Sequence, residues 1–554
     1  MVLENLVHTI GKAKLADFIS NPKGSRQFQQ FIKLGTKEHR NSAIEALSKQ
    51  VPDLAVRNIY ALLTLEKIVT YGLKTDESFT TEKFLKPVMS ERKVVEQLLF
   101  HRLGCKFLNK LYLHPAIKPA LKKQMMQIIL VPRSIELLGE SKEKLRQYYL
   151  ETAKRCIDKE LLGFDVIQRL LKQAVTDFAD DKEFNEELLA MSADGLPHLL
   201  SSRDGVHVVV KMLGIASAKH KKSFIKELKG KFAEIAKNSV TNVVLIRLFE
   251  CVDDTVLIGK SVLSELVGSD YSTGKDLMLD VTGRIPFLFV LENLEMKTGR
   301  CYNQSDRQLL ASCPMPTAMK DKSSRSSEIS AKLIPSVLKI VKSDIASFVS
   351  SDSGKDVVVA LIRALSDDST QQAALIEAVM EHLVDASEIN QSAVTCINSI
   401  LKEVAFSVRS CWTCLVERIT SSSSVDQSSI ELAHGPAAFI LMNLLRSADE
   451  SVSQSVRGAL RSVRQQLSAE SGNKGTEILL QESEEGDVMD WSKTVSTFVR
   501  SAPSSKRASS EVAEVVSKKQ KTETEEGKAS LFDDEEEEDD ELWGIVGDDD
   551  EYIE

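Results

Sequence analysis

The 554-residue chain is poor in the residues that shape sheets, membrane spans and disulfide frameworks. Its 25 glycines and 13 prolines argue against a β-rich fold that turns tightly many times. The longest apolar run, Ile285–Leu291, falls far short of the roughly 20 residues that cross a bilayer, and it is typical of a core segment. The 8 cysteines are scattered, which is typical of reduced thiols in a cytosolic or nuclear protein. The first residues include an acid and no small-residue cleavage site, so we expect no secretory signal.

Patterns for catalysis and metal binding are equally scarce. Cys411 and Cys414 form a lone CxxC pair, without the two further ligands that a zinc site needs. The segment GKSVLS, which begins at Gly259, lacks the upstream glycine of a phosphate-binding P-loop. Paired carboxylates and nucleophile–base patterns are missing, and the 9 histidines are scattered. We therefore expect neither an enzyme nor a cofactor or metal site.

Charge is divided unevenly along the chain, so the formal net charge of −10 hides a basic body. Residues 523–554 hold 17 acidic residues and one lysine, which leaves a net charge of +6 on the remainder. Residues 1–170 hold 29 lysines and arginines against 18 acidic residues, a net charge of +11. A basic face on a helical body suits a polyanion, although a merely solvated surface would show the same composition.

The chain is rich in one recurring amphipathic helix. In the stretch Lys23–Gly35, Phe28 lies on an apolar side and Ser25, Arg26 and Gln29 project from another, because residues i, i+1 and i+4 are close on a helix. Counted from Arg26, related helices follow at separations of 37, 43, 59, 42, 36 and 42 residues, a loose period typical of helical solenoids. The residues equivalent to Arg26 in these helices are Leu63, Lys106, Asp165, His207, Val243 and Ile285.

A second amphipathic segment follows each of these helices, which we call anchor helices. After the first, Ala43, Ile44 and Leu47 recur at helical spacing. One such unit cannot bury its apolar face alone, so we expect the units to stack into a curved superhelix. The 59-residue gap that follows Lys106 has room for an extra helix or an eroded repeat.

The predicted organisation has four parts. Repeats occupy residues 10–297, and the Pro- and Ser-rich residues 298–330 are predicted to be a loop or insertion. A C-terminal helical-repeat domain spans residues 331–485, with segments resembling anchor helices at 352–366 and 434–448. Residues 486–554 contain few apolar side chains and are predicted to be a disordered acidic tail.

The tail carries the clearest short signal. Two basic clusters separated by ten residues match a bipartite nuclear import signal, which predicts a nuclear protein that binds an import receptor. The acidic run 533–541 is expected to bind basic proteins, to compete with RNA for the basic body, or simply to keep the chain soluble. The import-signal residues are Lys506, Arg507, Lys518, Lys519 and Lys521.

Three stretches, DGVHVVVKML, SVTNVVLIRLFECV and DVTGRIPFLFVL, resemble the later Pumilio-type repeats of the Puf-A family, the divergent nucleolar branch of the Pumilio (PUF) proteins. Residues 434–463 and 474–481 are similar to the end of the C-terminal domain of that family. The resemblance covers roughly residues 10–485 and rests on the order of these stretches. It implies an all-α, L-shaped Pumilio-type solenoid, nucleic-acid binding with little sequence preference, and a role in assembly of the large ribosomal subunit. The basic extension that usually precedes the first repeat has no counterpart here, so either the import signal lies at the other end or the start is truncated.

The resemblance also implies which residues contact RNA, because a Pumilio anchor helix offers two edge-reading residues and one stacking residue to each base. We call these the reading positions. Only the first helix fits this pattern well and the third tolerably; elsewhere the side chains are mostly apolar, and Asp165 would repel phosphate. Binding is therefore expected to depend on phosphates and shape, with steep salt dependence. The predicted contacts are Ser25, Arg26, Gln29, Cys105, Lys106 and Asn109 at reading positions, with Lys12, Lys14, Lys23, Lys67, Lys110, Lys219, Lys221 and Lys222 as further phosphate contacts.

The resulting prediction is a monomeric RNA-binding scaffold of low sequence specificity, acting in the nucleolus on ribosomal RNA precursors alongside pre-ribosomal proteins. Binding through phosphates would also admit messenger RNA or DNA. Two alternatives stay open. A HEAT- or armadillo-like solenoid that binds peptides would explain the missing reading residues, and a messenger-RNA-specific translational regulator would need several intact sets of them.

Overall fold

The computed structural model describes residues 14–131, 141–297 and 299–385, together with the isolated residues 396, 454, 457 and 458. Within these residues every regular element is helical, and none of the helices is long and apolar enough to cross a membrane. All the described elements belong to one unit of the chain, Met1–Leu480.

The helices are short and follow one another closely. A short helix covering residues 14–19 comes first, and turns of 3₁₀ or π geometry occupy Ser48–Gln50, Thr81–Leu85, Ala193–Ser201, Ile258–Leu263 and Gly299–Cys301. The first half comprises α1 Pro22–Leu34, α2 Lys37–Leu47, α3 Val51–Arg57, α4 Ile59–Thr75, α5 Glu77–Thr80, α6 Lys86–Ser90, α7 Arg92–Leu99, α8 Arg102–Leu113, α9 Pro119–Leu130, α10 Lys142–Asp158, α11 Asp165–Asp177 and α12 Lys182–Ser192. The second half comprises α13 Arg203–Ile215, α14 Ala218–Glu227, α15 Phe232–Lys237, α16 Asn242–Cys251, α17 Thr255–Leu257, α18 Ser264–Val267, α19 Ser272–Leu279, α20 Ile285–Leu291, α21 Gln304–Ser312, α22 Lys322–Ser343, α23 Ile345–Ser350, α24 Asp352–Ala364 and α25 Ser369–Asp385.

The predicted anchor helices that fall within the described residues all form, as α1, α4, α8, α11, α13, α16, α20 and α24. Each packs against the next in chain order, and the described apolar core is one continuous cluster. This arrangement confirms the stacked helical repeat. The two described helices between α8 and α11, namely α9 and α10, fill part of the long gap after Lys106.

Local sequence explains where the anchor helices begin. The Asn21 side chain accepts a hydrogen bond from the Lys23 amide at the start of α1, and the Ser202 hydroxyl accepts from the Gly205 amide at the start of α13. A glycine at the third position then permits close packing. A Cβ added to Gly205 would lie 1.9 Å from the Leu199 carbonyl oxygen, so the preceding turn can approach only because no side chain is there.

The prediction of a loop or insertion at 298–330 is wrong where it implies an irregular loop. Residues 304–312 form α21, and residues 322–330 form the start of α22, whose first turn is capped by Asp321. The serine-rich composition was a poor guide to structure here. Ser330 is buried and its hydroxyl donates to the Val290 carbonyl, so this polar residue lies in the core. Residues 299–321, which we call the strap, lie against the C-terminal ends of α13 and α16.

Several predicted features lie outside the described residues. These are the anchor helix at 434–448, the CxxC pair, the import signal, the acidic run and the tail from residue 486.

Candidate nucleic-acid interface

The reading positions of α1 are engaged with the neighbouring repeat. Ser25 is fully buried, and its hydroxyl donates to the Tyr60 carbonyl at 2.8 Å and lies 3.0 Å from the Thr64 hydroxyl oxygen. The Gln29 amide nitrogen donates to the same Ser25 hydroxyl at 2.8 Å. The prediction that Ser25 reads a base therefore needs correction, because α4 covers its side chain. Arg26, between them in sequence, remains exposed on α1.

The same engagement recurs at the third reading position of later repeats. In α8, the Asn109 side-chain oxygen accepts from the Val166 amide at 3.1 Å, and its nitrogen donates to Asp165 at 3.3 Å, so Asn109 caps α11. In α11, the Gln168 amide nitrogen donates to the Ser201 hydroxyl at 2.6 Å. Amide groups that resemble base readers thus join one repeat to the next.

Cys105 is also withdrawn from solvent. Its side chain is fully buried in the core of α8, and burial raises the pKa of the thiol well above its ordinary value. The prediction that Cys105 contacts a base is corrected by this burial.

The structure does bring three predicted lysines together. Lys67 from α4 and Lys106 and Lys110 from α8 are half-buried around Glu66, whose side chain is buried and whose Oε1 has no hydrogen-bond partner. Burial raises the pKa of Glu66, and the charges of Lys110, Lys106 and Lys67 oppose that rise. Three lysines thus lie around one buried acid at this part of the surface.

A column of cations runs along the anchor helices, four residues after the position equivalent to Arg26. The residue at this place is basic in five successive repeats, so the period alone contains the signal. Sequence reasoning nevertheless missed the last three members, which lie on α11, α13 and α16. The column consists of Lys67, Lys110, Arg169, Lys211 and Arg247.

Arg169 extends the positive surface onto α11, together with Lys172. Arg169 Nη1 lies 3.1 Å and Lys172 Nζ 2.5 Å from the carboxylate of Asp204. Burial works to raise the pKa of Asp204, but the hydrogen bonds and charges of Lys172 and Arg169 hold it below its ordinary value. His207 contributes no charge at neutral pH, because burial and the nearby lysines lower its pKa to about 4. Two cations thus share one acid at this edge.

From α13 onward the cation column turns inward. Lys211 is buried and donates to the Val175 and Ala179 carbonyls, and Arg247 is fully buried and donates to carbonyls of the strap. The reading positions Val243 and Ile246 of α16 are buried as well. Among the described repeats, the accessible basic surface therefore lies on α1, α4, α8 and α11.

The remaining predicted lysines fall elsewhere. Lys14 and Lys23 are exposed near the start of the described chain, and Lys12 lies outside the described residues. The prediction that Lys221 is an exposed phosphate contact needs correction. Lys221 is only 3% exposed, and its amine donates to the Cys251 carbonyl and the Thr317 hydroxyl. Lys219 and Lys222, also on α14, are exposed. The stacked anchor helices define a Pumilio-type helical-repeat fold.

Comparison with known proteins supports this fold and adds a match to one domain family. Residues 279–405 match the CPL (NUC119) domain, which starts earlier than the predicted boundary at 331 and includes the strap. Pumilio homology domain family member 6 of Saccharomyces cerevisiae is 22% identical over 361 residues, which are 64% of this chain and 54% of that protein. The chain thus spans about half the length of the first curated relatives it matches, 54% in each case.

Two solved structures share the fold. The crystal structure of human Puf-A matches with a TM-score of 0.72 and 18% identity, over 87% of this chain and 94% of that one. The crystal structure of human Puf-A in complex with DNA matches with a TM-score of 0.69 and 18% identity, over 86% of this chain and 94% of that one. Together with the match to the CPL domain, these similarities show that the chain shares its fold with human Puf-A.

Proposed function

We propose that this chain is a nucleic-acid-binding scaffold of low sequence specificity that holds RNA mainly through its phosphate groups. The observation that carries the proposal is that lysines gather at the surface while hydrogen-bonding side chains at the reading positions are already bonded to the next repeat. Lys67, Lys106 and Lys110 gather at the surface of α4 and α8, while Ser25 and Asn109 are bonded to the next repeat. An amide or hydroxyl engaged in this way does not offer its edge to a base, whereas a lysine binds the phosphate of any nucleotide.

The similarity to human Puf-A supports phosphate contacts, because that protein was crystallised with DNA. DNA lacks the 2′-hydroxyl by which proteins distinguish RNA, so a surface that accepts it depends on features common to both polymers. Sequence-specific translational control of messenger RNA fits this chain less well, since most of the hydrogen-bonding side chains at its reading positions, such as Ser25, Gln29 and Asn109, are already bonded to neighbouring groups.

We further propose that the protein acts in the nucleolus, in processing of ribosomal RNA precursors and assembly of the large ribosomal subunit. The support is the Puf-A resemblance, together with the basic clusters at Lys506–Arg507 and Lys518–Lys521 that predict nuclear import. Pre-ribosomal proteins and an import receptor are the partners that this role requires.

Phosphate binding is tested by fluorescence anisotropy of the full chain with three short single-stranded RNAs of equal length and unrelated sequence, across a series of salt concentrations. The three dissociation constants should agree within about threefold, because phosphate contacts do not distinguish bases. Replacing Lys67, Lys106 and Lys110 by Gln should reduce the slope of log K against log salt by about 2, because each single-strand phosphate contact contributes about 0.7. The matched control replaces three exposed lysines outside the anchor helices and should leave the slope unchanged: Lys83, Lys93 and Lys123.

A preference of about tenfold for one sequence, or an unchanged slope in the Lys67/Lys106/Lys110 variant, would contradict the proposal. The cellular role is tested by ultraviolet crosslinking of the full chain and sequencing of the bound RNA. Enrichment of ribosomal RNA precursors is expected. Enrichment of messenger RNA would favour translational control, and recovery of proteins without RNA would favour the peptide-binding solenoid.

A further inference from the structure

A recess of about 310 Å³ lies beyond the C-terminal ends of α13 and α16, away from the reading positions. The start of α14 forms one wall with Lys219, Lys221 and Lys222, the residues after α16 form another, and Thr317 of the strap closes a third side. This volume is at the lower end for small-molecule sites, so the recess accommodates a single nucleotide unit rather than a duplex.

The three lysines of the recess play unequal roles. Lys221 is buried, and its amine is fixed by the Cys251 carbonyl at 2.8 Å and the Thr317 hydroxyl at 3.0 Å, which leaves one of its three N–H donors over. Lys219 and Lys222 are exposed and form no ion pair within the described chain. Their side chains are long enough to reach a ligand bound over the fixed amine.

The recess has more positive than negative side chains. Lys219, Lys221 and Lys222 line it against two aspartates, and one of these, Asp253, also pairs with Arg325 at 2.6 Å. Asp254 accepts from the Leu257 amide at 2.9 Å and keeps its negative charge. The first turn of α14 contains no acidic residue, and a helix start carries partial positive charge.

We propose that this recess binds one phosphate group of a bound RNA strand, with Lys219 and Lys222 on its oxygens and Lys221 positioned beneath by the strap. Val252 and Leu257 supply an apolar wall against which the adjoining sugar packs. The inference rests on the RNA binding proposed above and adds a contact outside the anchor helices. It also assigns a role to the strap, because the Thr317 hydroxyl helps to hold the buried Lys221 amine in place.

The test measures RNA binding by the full chain carrying K219Q and K222Q, with the RNAs and salt series already described. Loss of two phosphate contacts should lower the salt slope by about 1.4. The matched control carries K226Q and K229Q, which remove equal charge from exposed lysines outside the recess, and its slope should stay within about 0.3 of the unmodified chain. Thr317→Val, which removes one of the two partners of the Lys221 amine, should weaken binding two- to threefold, with an unchanged circular dichroism spectrum.

Two outcomes would overturn the assignment and leave the proposed function standing. In the first, the recess variant matches its control, while neutralising Lys67, Lys106 and Lys110 still lowers the slope. In the second, the recess variant loses binding to a phosphoserine peptide and retains full RNA binding, which makes the recess a phosphopeptide site. Failure of the unmodified chain to bind any RNA would defeat the proposed function, and this inference with it.

Discussion

Replacement of Arg247 by Met should release the strap. Arg247 is the largest fully buried side chain in the described chain, and its Nη2 donates to the Leu310 carbonyl at 2.9 Å and the Cys313 carbonyl at 3.1 Å. Its Nη1 lies 3.3 Å from the Glu250 carboxylate. The guanidinium therefore joins α16 to the C-terminal end of α21, where a cation also favours the helix dipole.

The magnitude follows from what the substitution leaves behind. Methionine fills much of the space but donates nothing, so two strap carbonyls and the Glu250 carboxylate lose their partner. The pair with Glu250 lies within α16, so the opening of the strap is set by the hydrogen bonds to its carbonyls, and a hydrogen bond to a charged group contributes about 1.5–3 kcal/mol. At about 1.4 kcal/mol for each tenfold change in an equilibrium constant, the strap should open roughly 10 to 10² times more often. The loss of the Glu250 partner is a separate cost to the folded state, which adding Glu250→Gln should partly recover, because burial already raises the pKa of Glu250 against the opposing charge of Arg247.

Hydrogen–deuterium exchange read by mass spectrometry measures the opening directly. Peptides from residues 304–321 should exchange faster in Arg247→Met by the factor given above, while peptides from α1 and α4 keep the rates of the unmodified chain. Lys226→Met, at an exposed position, controls for the loss of a positive charge. Equal exchange of the strap peptides in the Arg247 variant and in this control would refute the view that a buried arginine holds the strap.

Three further substitutions test the repeat itself. Glu66→Gln should leave the protein at least as stable at pH 7. Burial raises the pKa of Glu66, so the unfolding free energy of the unmodified chain falls as pH rises from the ordinary pKa of 4.5 through the raised pKa. Urea denaturation of the variant at several pH values should show no such fall. A loss above about 1 kcal/mol at pH 7 would contradict this. Asn109→Ala should lower the free energy of unfolding by about 1 kcal/mol and speed amide exchange in the first turn of α11, because it removes the hydrogen bond that caps this helix. Unchanged exchange there would contradict the view that Asn109 joins α8 to α11. Gly205→Ala should cost about 1–3 kcal/mol in thermal or urea unfolding, since its Cβ would meet the Leu199 carbonyl, whereas Gly163→Ala, with no atom within 4 Å, is the control; equal losses in both would disprove the close-packing argument.

The helices were predictable because their signals are local. Apolar spacing predicted every described anchor helix, with bounds that differ from the observed ones by a few residues, since periodicity depends on residues within one or two turns. The strap and the start of α22 were not predictable in this way. Ser330 is a core residue because of a hydrogen bond to Val290, 40 residues away, and composition carries no trace of such a contact.

The candidate site was predictable from the sequence only where its features are local to one helix. Spacing correctly put Ser25, Arg26 and Gln29 near one another on α1, but it could not show that α4 covers Ser25. Lys221 looked like its neighbours Lys219 and Lys222, yet it alone is buried against the Cys251 carbonyl. Which polar residue faces solvent is decided by the adjacent repeat, and that choice is made only when the repeats stack.

The cation column shows how stacking alters the meaning of a repeated residue. Lys67 and Lys110 stand beside Glu66 on an accessible surface, and Arg169 is 43% exposed, so these members of the column remain able to meet phosphate. Lys211 and Arg247 occupy equivalent places in their helices, but each is buried and directs its donors at backbone carbonyls. Burial of a cation is tolerable only with such partners, and for Arg247 the strap supplies them. The same position is therefore accessible in the early repeats and stabilises the fold in the later ones, which is why net charge along the sequence overstates the length of the accessible basic surface.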